Sequence, residues 1–442
     1  MQALLTLATA LTLAASGAMA QRPQLSAEQA FQYTRAAVLG DWQPPLVPPA
    51  VEPELRVDPP RADGRSVFAT IQAAVRRAAE LARERDARVV IGVAPGRYDE
   101  IVFVPATRAP ITLQGLGAAP ADVRLHAAAW SRMSGAEFAR RWALPPGSPY
   151  ADCAARPAIG TDCTPVLWVR NAGFELRNVT VENRYDESAE GNLHQAVALA
   201  TEADRVALDR VRLIGNQDTL YLRIPEGAAR ARVWVRDSLV EGDVDFIFGA
   251  ATAFFERSEI RSVGGTRGHG ATAGSGYITA ASTPYHQPHG FVFDDCDFTS
   301  DGLGLAGQGR IHLGRQWFAG ARCSPYGDAA LRCGLDAPPN DTTLVRLERR
   351  VLEAVGKVAI LRSRLGPHIQ RDAPWAPWNV NRAGPAYRLA QYTSDDYWQQ
   401  LTAAGHDPAA MSYRRAVPPL IFLAEHCNRG PGAVPPAPGC GP

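Results

Sequence analysis

The chain has almost no net charge: 46 Lys and Arg stand against 45 Asp and Glu, leaving +1. That balance removes the electrostatic case for a nucleic-acid or anionic-membrane partner, since both are recognised through a basic field. Charged residues are also scarce, at 21%, too few for a protein built of long solvated helices. Beyond the N-terminus no apolar run approaches the roughly 20 residues that a membrane-spanning helix needs. Cys-x-x-Cys and paired His-Cys spacings are missing, so no metal site is expected. Without a G-x-S-x-G elbow, a serine-esterase mechanism has no evident nucleophile.

Glycine (39) and proline (35) are plentiful, which suits many short strands joined by turns. The first twenty residues combine an apolar run, Ala3 to Ala15, with the small-x-small pattern Ala18-Met19-Ala20. This reads as a signal peptide cleaved near Ala20, and implies a secreted or periplasmic protein beginning at Gln21. The leader departs from the usual form in having no basic residue before its apolar run. Residue 21 is Gln rather than the Cys that a lipid anchor requires. Seven cysteines fit an oxidising compartment, and three close pairs suggest themselves: Cys153 with Cys163, Cys323 with Cys333, and Cys427 with Cys440. Cys296, inside the apolar segment FVFDDCDF, is read as a buried and inert thiol.

A short helical pattern around Ser26 to Leu39 precedes the Pro-rich stretch QPPLVPPAVEPELRVDPP, which is expected to form no regular element. A second helix is predicted from about Ile71 to Arg85, where Ile71, Val75, Ala78 and Leu81 recur at helical spacing. From Val89 onward β-rich runs follow one another: VVIGV, ITLQGLG, VLWV, FELRNVTVEN, RVALDRVRLIGN, RVWVRDSLVEG, FFERSEIRSV, GFVFDDCDF and VAILRSRLG. Several share an alternating strand, and the step from Leu176 to Leu208 is 32 residues, that from Leu208 to Val235 27. Unequal coils of this size predict an all-β fold, a right-handed parallel β-helix with a short N-terminal helical region. The alternative, a β-sandwich, would show hairpin turns more regularly. Long loop insertions at Ala128 to Pro165 and Ser324 to Thr343 are expected to frame a groove. The resulting organisation is a signal peptide (1–20), an N-terminal extension and Pro-rich linker (21–62), the β-helix domain (63–425) and a Pro/Gly-rich tail (426–442).

Three polar positions recur near coil spacing: Gln195, the pair Gln217 and Asp218, and Asp245, with steps from Gln195 to Asp218 of 23 and from Asp218 to Asp245 of 27 residues. On consecutive coils, matched residues lie about 4.8 Å apart. Two carboxylates so close cannot both ionise cheaply, so one should stay protonated as an acid beside a nucleophile. Glutamine N–H groups near such a pair suit an oxyanion, and Arg315 can orient Asp245 through a forked hydrogen bond. Tyr221, Phe248 and Trp317 could offer flat faces to sugar rings, whereas Phe246 is read as core.

The segments GRYDE (96–100), QAVAL (195–199), QDTLY (217–221), DFIFG (245–249) and LGRQW (313–317) resemble, in order, the signature segments of pectin methylesterases. The resemblance implies a right-handed parallel β-helix, no metal or organic cofactor, and hydrolysis of galacturonate methyl esters in pectin. It implies Asp245 as nucleophile, Asp218 as acid and then base, and Gln195 and Gln217 as the oxyanion-stabilising pair. Arg315 would orient the nucleophile, with Trp317 and Phe248 in the sugar groove. The extension and the cysteine-bearing insertion are similar to a divergent bacterial branch that includes outer-membrane pectinesterase and acyl-CoA thioesterase-like proteins. Gln316 replaces the family's usual Pro and Ala281 its usual Gln, differences expected to bear on substrate preference. An esterase retuned to other acyl groups or thioesters, and a non-catalytic carbohydrate-binding β-helix, are the alternatives. A monomer is expected. Two further patterns carry less: GLGLAG (302–307) lacks the βαβ context of a dinucleotide site and reads as a tight turn. GHG (268–270) resembles a polygalacturonase segment but has no supporting Asp cluster around it, so His269 is read as a loop residue.

Overall fold

The computed structural model describes residues 22–44, 52–187, 193–264, 276–321, 323–326, 333–335, 345–378, 386–435 and 439–440. The signal-peptide reading and the GHG segment lie outside these residues. Three long sheets run the length of the molecule, one of eleven strands and two of eight, and every pairing within them is parallel. Each coil gives one strand to each sheet in turn, as in Arg232–Arg236, Leu239–Gly242 and Val244–Gly249. This is the expected right-handed parallel β-helix, the handedness that parallel crossovers take almost without exception.

The register confirms the coil steps: Leu176 lies opposite Leu208, and Leu208 opposite Val235. Both steps follow an inward column that continues through Phe255, Phe293 and Ile360. The long β-rich runs, however, are not single strands. Each bends between the first and second sheets at a residue with positive φ: Asn178 (54°), Arg210 (50°), Asp237 (49°), Arg257 (45°), Asp295 (53°) and Arg362 (50°). The bend does not interrupt the ladder, because each corner N–H still donates to a carbonyl of the next coil, as Arg210 does to Arg236 and Asp237 to Glu256. One residue past the corner runs a column of hydroxyls: Val211 N–H donates to Ser238 Oγ, and Ser238 N–H to Ser258 Oγ. Cys296 occupies the next place in that column, where burial pushes its thiol up to about 12, consistent with an inert group.

Helix Ile71–Glu84 closes the N-terminal end of the solenoid by burying Ile71, Ala74, Val75, Ala78, Ala79 and Ala82. Its first turn is capped from the GRYDE segment, since the Glu100 carboxylate accepts the N–H groups of Ile71 and Gln72. That segment therefore builds the end cap rather than the site.

The helical pattern near the N-terminus forms two short helices, Ala27–Phe31 and Arg35–Leu39. Leu25, Ala30, Val38 and Leu39 cover the outer face of the first sheet over Trp234, Phe254 and Val292. Arg22 secures this strap through a buried two-point pair with Glu425, at 2.6 Å for each contact. Within the Pro-rich stretch, Leu55–Val57 is a strand paired with Val89–Val93, contrary to expectation. Pro53 and Pro59 bracket it without occupying its ladder positions, so the missing proline donors cost nothing there. All three cysteine pairs are joined as expected. GLGLAG contains a single helical turn, Gly304–Gly307.

Candidate functional site

The third sheet carries the site on its outer face. Its register sets Leu220 opposite Ile247, which brings Asp218 opposite Asp245 on adjacent coils; the Asp218 N–H donates to the Val244 carbonyl at 3.1 Å. The 27-residue step is therefore one full coil. Gln195 is different: Leu199 faces Leu220, a step of 21 rather than 23, so Gln195 does not lie directly opposite Asp218. Its neighbour Ala196 instead donates to the Gln217 carbonyl at 3.1 Å, which brings the two glutamines together.

Both aspartates have left-handed backbone, φ 70° at Asp218 and 50° at Asp245. This conformation is costly for non-glycine residues, and such strain concentrates where a side chain must be aimed. At Asp245 the cause is visible in the pairing, which slips by one residue between Val244 and Ile247; a bulge of this kind redirects a side chain.

Asp218 and Asp245 are 7% and 4% exposed. Burial, and then the neighbouring Asp245 carboxylate, push Asp218 well above the usual carboxylate range, against a lowering pull from Arg315. Arg315 meets Asp245 in a fork, Nε to Oδ1 at 2.9 Å and Nη2 to Oδ2 at 2.6 Å. Burial works against the Arg315 charge, yet the Asp245 carboxylate more than compensates and the guanidinium ends above its ordinary value. Its two faces are covered by Tyr277, 4.0 Å away, and Trp378, 4.2 Å away. His312 stacks on Tyr277 and is pushed down to about 4 by burial, so it is neutral near pH 7. The arrangement is one carboxylate held in a cationic fork beside one carboxyl whose hold on its proton is strengthened, a pairing suited to nucleophilic attack with proton transfer.

These groups line one cleft of about 470 Å³ with Gln195, Gln217, Tyr221, Phe248, Trp317, Trp378, Thr161 and Asp162. The structure therefore brings together all eight residues singled out in the sequence. Tyr221 and Phe248 stack on each other, 4.2 Å apart at 13°, so each covers one ring face of the other, and Phe248 is buried. Trp317 stands nearly perpendicular to Phe248, at 77°. Phe246 is fully buried, as its place in the core requires.

Sequence reasoning missed Tyr277, Trp378, Asp162 and Ser131. Ser131 Oγ donates to Gln195 Oε1 at 2.8 Å. The insertion spanning Ala128 to Pro165 does frame the cleft, through Thr161 and Asp162 beside the Cys153–Cys163 bridge. The two departures from the family pattern do not: Ala281 and Gln316 face each other across adjacent strands and are buried inside the coil. The Gln316 amide donates to the Gly356 and Gln391 carbonyls. Neither side chain is among those lining the cleft. Among the described residues, the group with metal-ligand spacing is His426, Cys427 and Cys440, and its two sulfurs are already joined in a disulfide. A larger cleft around Trp398 and Tyr413 contains no carboxylate.

Comparison with known proteins places these observations in a family. The profile described as Pectinesterase matches residues 155–323. Pectinesterase B of Pectobacterium parmentieri is 33% identical over 356 residues, covering 76% of this chain and 80% of its own. The putative acyl-CoA thioester hydrolase YbhC of Escherichia coli is 31% identical over 312 residues, covering 65% and 71%. Among solved structures, rice weevil pectin methyl esterase superposes with a TM-score of 0.70 at 24% identity, covering 93% of this chain and 98% of its own. That likeness is one of fold. No helix among the described residues is long and apolar enough to cross a membrane.

Proposed function

The chain belongs to the pectinesterase family of carboxylic ester hydrolases, and from that membership we propose that it hydrolyses the methyl esters of galacturonate in pectin with Asp245 and Asp218 as its working carboxylates. The Asp245 carboxylate, turned by the Arg315 fork, attacks the ester carbonyl carbon. The resulting oxyanion is held by N–H groups of Gln195 and Gln217. Asp218, kept protonated by burial and by Asp245, gives its proton to the departing methoxy oxygen, and methanol leaves. An acyl group remains on Asp245. The Asp218 carboxylate then takes a proton from water as that water attacks the acyl carbon, releasing galacturonate and restoring both groups. Trp317 with the edges of Tyr221 and Phe248 receives the neighbouring sugars.

The observation that carries this reading is the division of the dyad: one carboxylate forked by Arg315, the other pushed up by burial. The test is methanol release from methylated pectin by wild type, Asp218→Ala and Asp245→Ala. Release by wild type and its loss in both variants supports the reading; an inactive wild type, or an active Asp245→Ala, overturns it.

A second reading, hydrolysis of acyl thioesters, is favoured by the similarity to the putative acyl-CoA thioester hydrolase. Faster turnover of thioester than of pectin under one condition would establish it. The protein acts as a monomer outside the cytoplasm after cleavage near Ala20. N-terminal sequencing of the secreted protein should begin at Gln21, which leaves the Arg22 anchor in place.

A further inference from the structure

We propose that Ser131, delivered by the disulfide-tied insertion, is a positioning residue that fixes the Gln195 side chain with its N–H end toward the reacting carbonyl; this rests on the oxyanion role proposed for Gln195. A glutamine amide has one accepting and one donating end, and only the donating end can stabilise an oxyanion. In this structure the accepting end is occupied, because Ser131 Oγ donates to Gln195 Oε1 at 2.8 Å. A serine hydroxyl can also accept, so it does not select the orientation alone. The selection comes from the Asp245 carboxylate, which lines the same cleft: an amide carbonyl oxygen facing its negative charge would be repelled, whereas N–H groups are attracted. Ser131 then supplies the donor that Oε1 needs, and removes the side-chain freedom of a half-buried amide.

The hydroxyl is itself held from several sides. Ser131 is 7% exposed. Its N–H donates to the Gln195 carbonyl at 2.9 Å, and its own carbonyl accepts from Gly160 N–H at 2.9 Å. Gly160 precedes Thr161 and Asp162 on the cleft wall and lies within the loop closed by Cys153 and Cys163. Arg156 ties the same loop together through the Ile159 carbonyl and the Asp162 carboxylate. Ser131 thus joins Gln195 to a braced insertion by main chain and side chain at once. The Ala196 N–H to Gln217 carbonyl bond extends that bracing to the second glutamine.

The experiment compares wild type, Ser131→Ala, Ser131→Thr, Gln195→Ala and the Ser131→Ala/Gln195→Ala double variant in methanol release from methylated pectin, with thermal melting of each. Ser131→Ala should lower kcat about tenfold, a fraction of the 10²–10³ that losing a whole oxyanion donor costs, with KM little changed. Ser131→Thr, which keeps the hydroxyl, should recover most of that loss. In the Gln195→Ala background, removing Ser131 should cost less than about twofold, because the group it orients is gone. Wild-type kcat in Ser131→Ala, or a full tenfold cost in both backgrounds, overturns the positioning role. Should Ser131→Ala fail to fold, Ser131→Cys keeps the volume with a weak donor, and a wild-type kcat there also overturns it. If Gln195→Ala itself keeps wild-type kcat, the oxyanion assignment falls and this role with it. Loss in Gln195→Ala without loss in Ser131→Ala removes the positioning role alone.

Discussion

Replacing Arg315 with alanine removes both charged hydrogen bonds from Asp245, the cation between Tyr277 and Trp378, and the lowering influence on Asp218. Asp245 is 4% exposed, so water cannot readily replace the lost partner. Breaking a buried pair by removing one member costs about 3–5 kcal/mol. At about 1.4 kcal/mol for each factor of ten, full expression of that cost in the reactive state would slow the enzyme by two to three and a half orders of magnitude. The lower end of that range gives an expected loss in kcat of about 10²-fold. The pH profile supplies a second readout. Arg315 pulls Asp218 down, so without it Asp218 should keep its proton to a higher pH. In the proposed mechanism Asp218 gives its proton to the departing methoxy group, so the alkaline limb of kcat should move upward in Arg315→Ala. Arg315→Lys restores the charge but not the fork and should fall between the two. The assay is the initial rate of methanol release across roughly pH 5 to 9. Arg315→Ala with more than about a tenth of wild-type kcat, or with its alkaline limb moved downward, would refute the reasoning.

Asp218→Asn should be nearly inactive yet more heat-stable than wild type at neutral pH. A carboxyl raised in the folded state binds its proton more tightly there, so wild-type stability is fullest below the unfolded value of about 3.9 and falls as pH rises toward the folded one; the melting difference should widen over that window, and a difference independent of pH would contradict the shift. Gly249→Ala should destabilise by about 3 kcal/mol or more, because φ is +123° and the added Cβ would meet the Leu222 carbonyl oxygen at 2.0 Å; denaturant melts would measure it. Arg22→Ala leaves Glu425 fully buried without its partner and should cost about 3–5 kcal/mol, whereas an unchanged melt would mean that the N-terminal strap adds nothing.

The fold is legible because coil steps repeat and the inward residues of each coil are large and apolar: Leu176, Leu208 and Val235 stack as their spacing implies. The corner is not legible as a corner. Asn178, Arg210, Asp237 and Arg257 look like outward residues of one alternating strand, and only their positive φ reveals two strands. Asp218 and Asp245 can be matched because one ladder step separates them. Spacing alone misaligns Gln195, because the coil step there, Leu199 to Leu220, is 21 residues rather than the 23 that separate Gln195 from Asp218. Trp378 and Tyr277 carry no local signal, since they meet only around Arg315, from segments far apart in the chain. Ser131 is hidden for a different reason: its role depends on the insertion folding back, and a loop without periodicity gives no indication of where its hydroxyls point.

Why two strained aspartates persist follows from the same architecture. A positive φ at a single non-glycine residue costs about 1–3 kcal/mol, and here two adjacent coils bear it at the site. Each is fixed by ladders on both sides: Asp218 donates its N–H to Val244, while Leu220 and Ile247 lock the strands that follow. The core beneath, with Phe246 and Ile247 fully buried, resists the shift that would relieve the strain, because a register slip would expose a whole inward face. A solenoid can therefore hold two carboxyl groups closer than their charges favour. The opposing forces are spread over many hydrogen bonds, and the remaining imbalance appears at Asp218, whose hold on its proton is strengthened by burial and by Asp245.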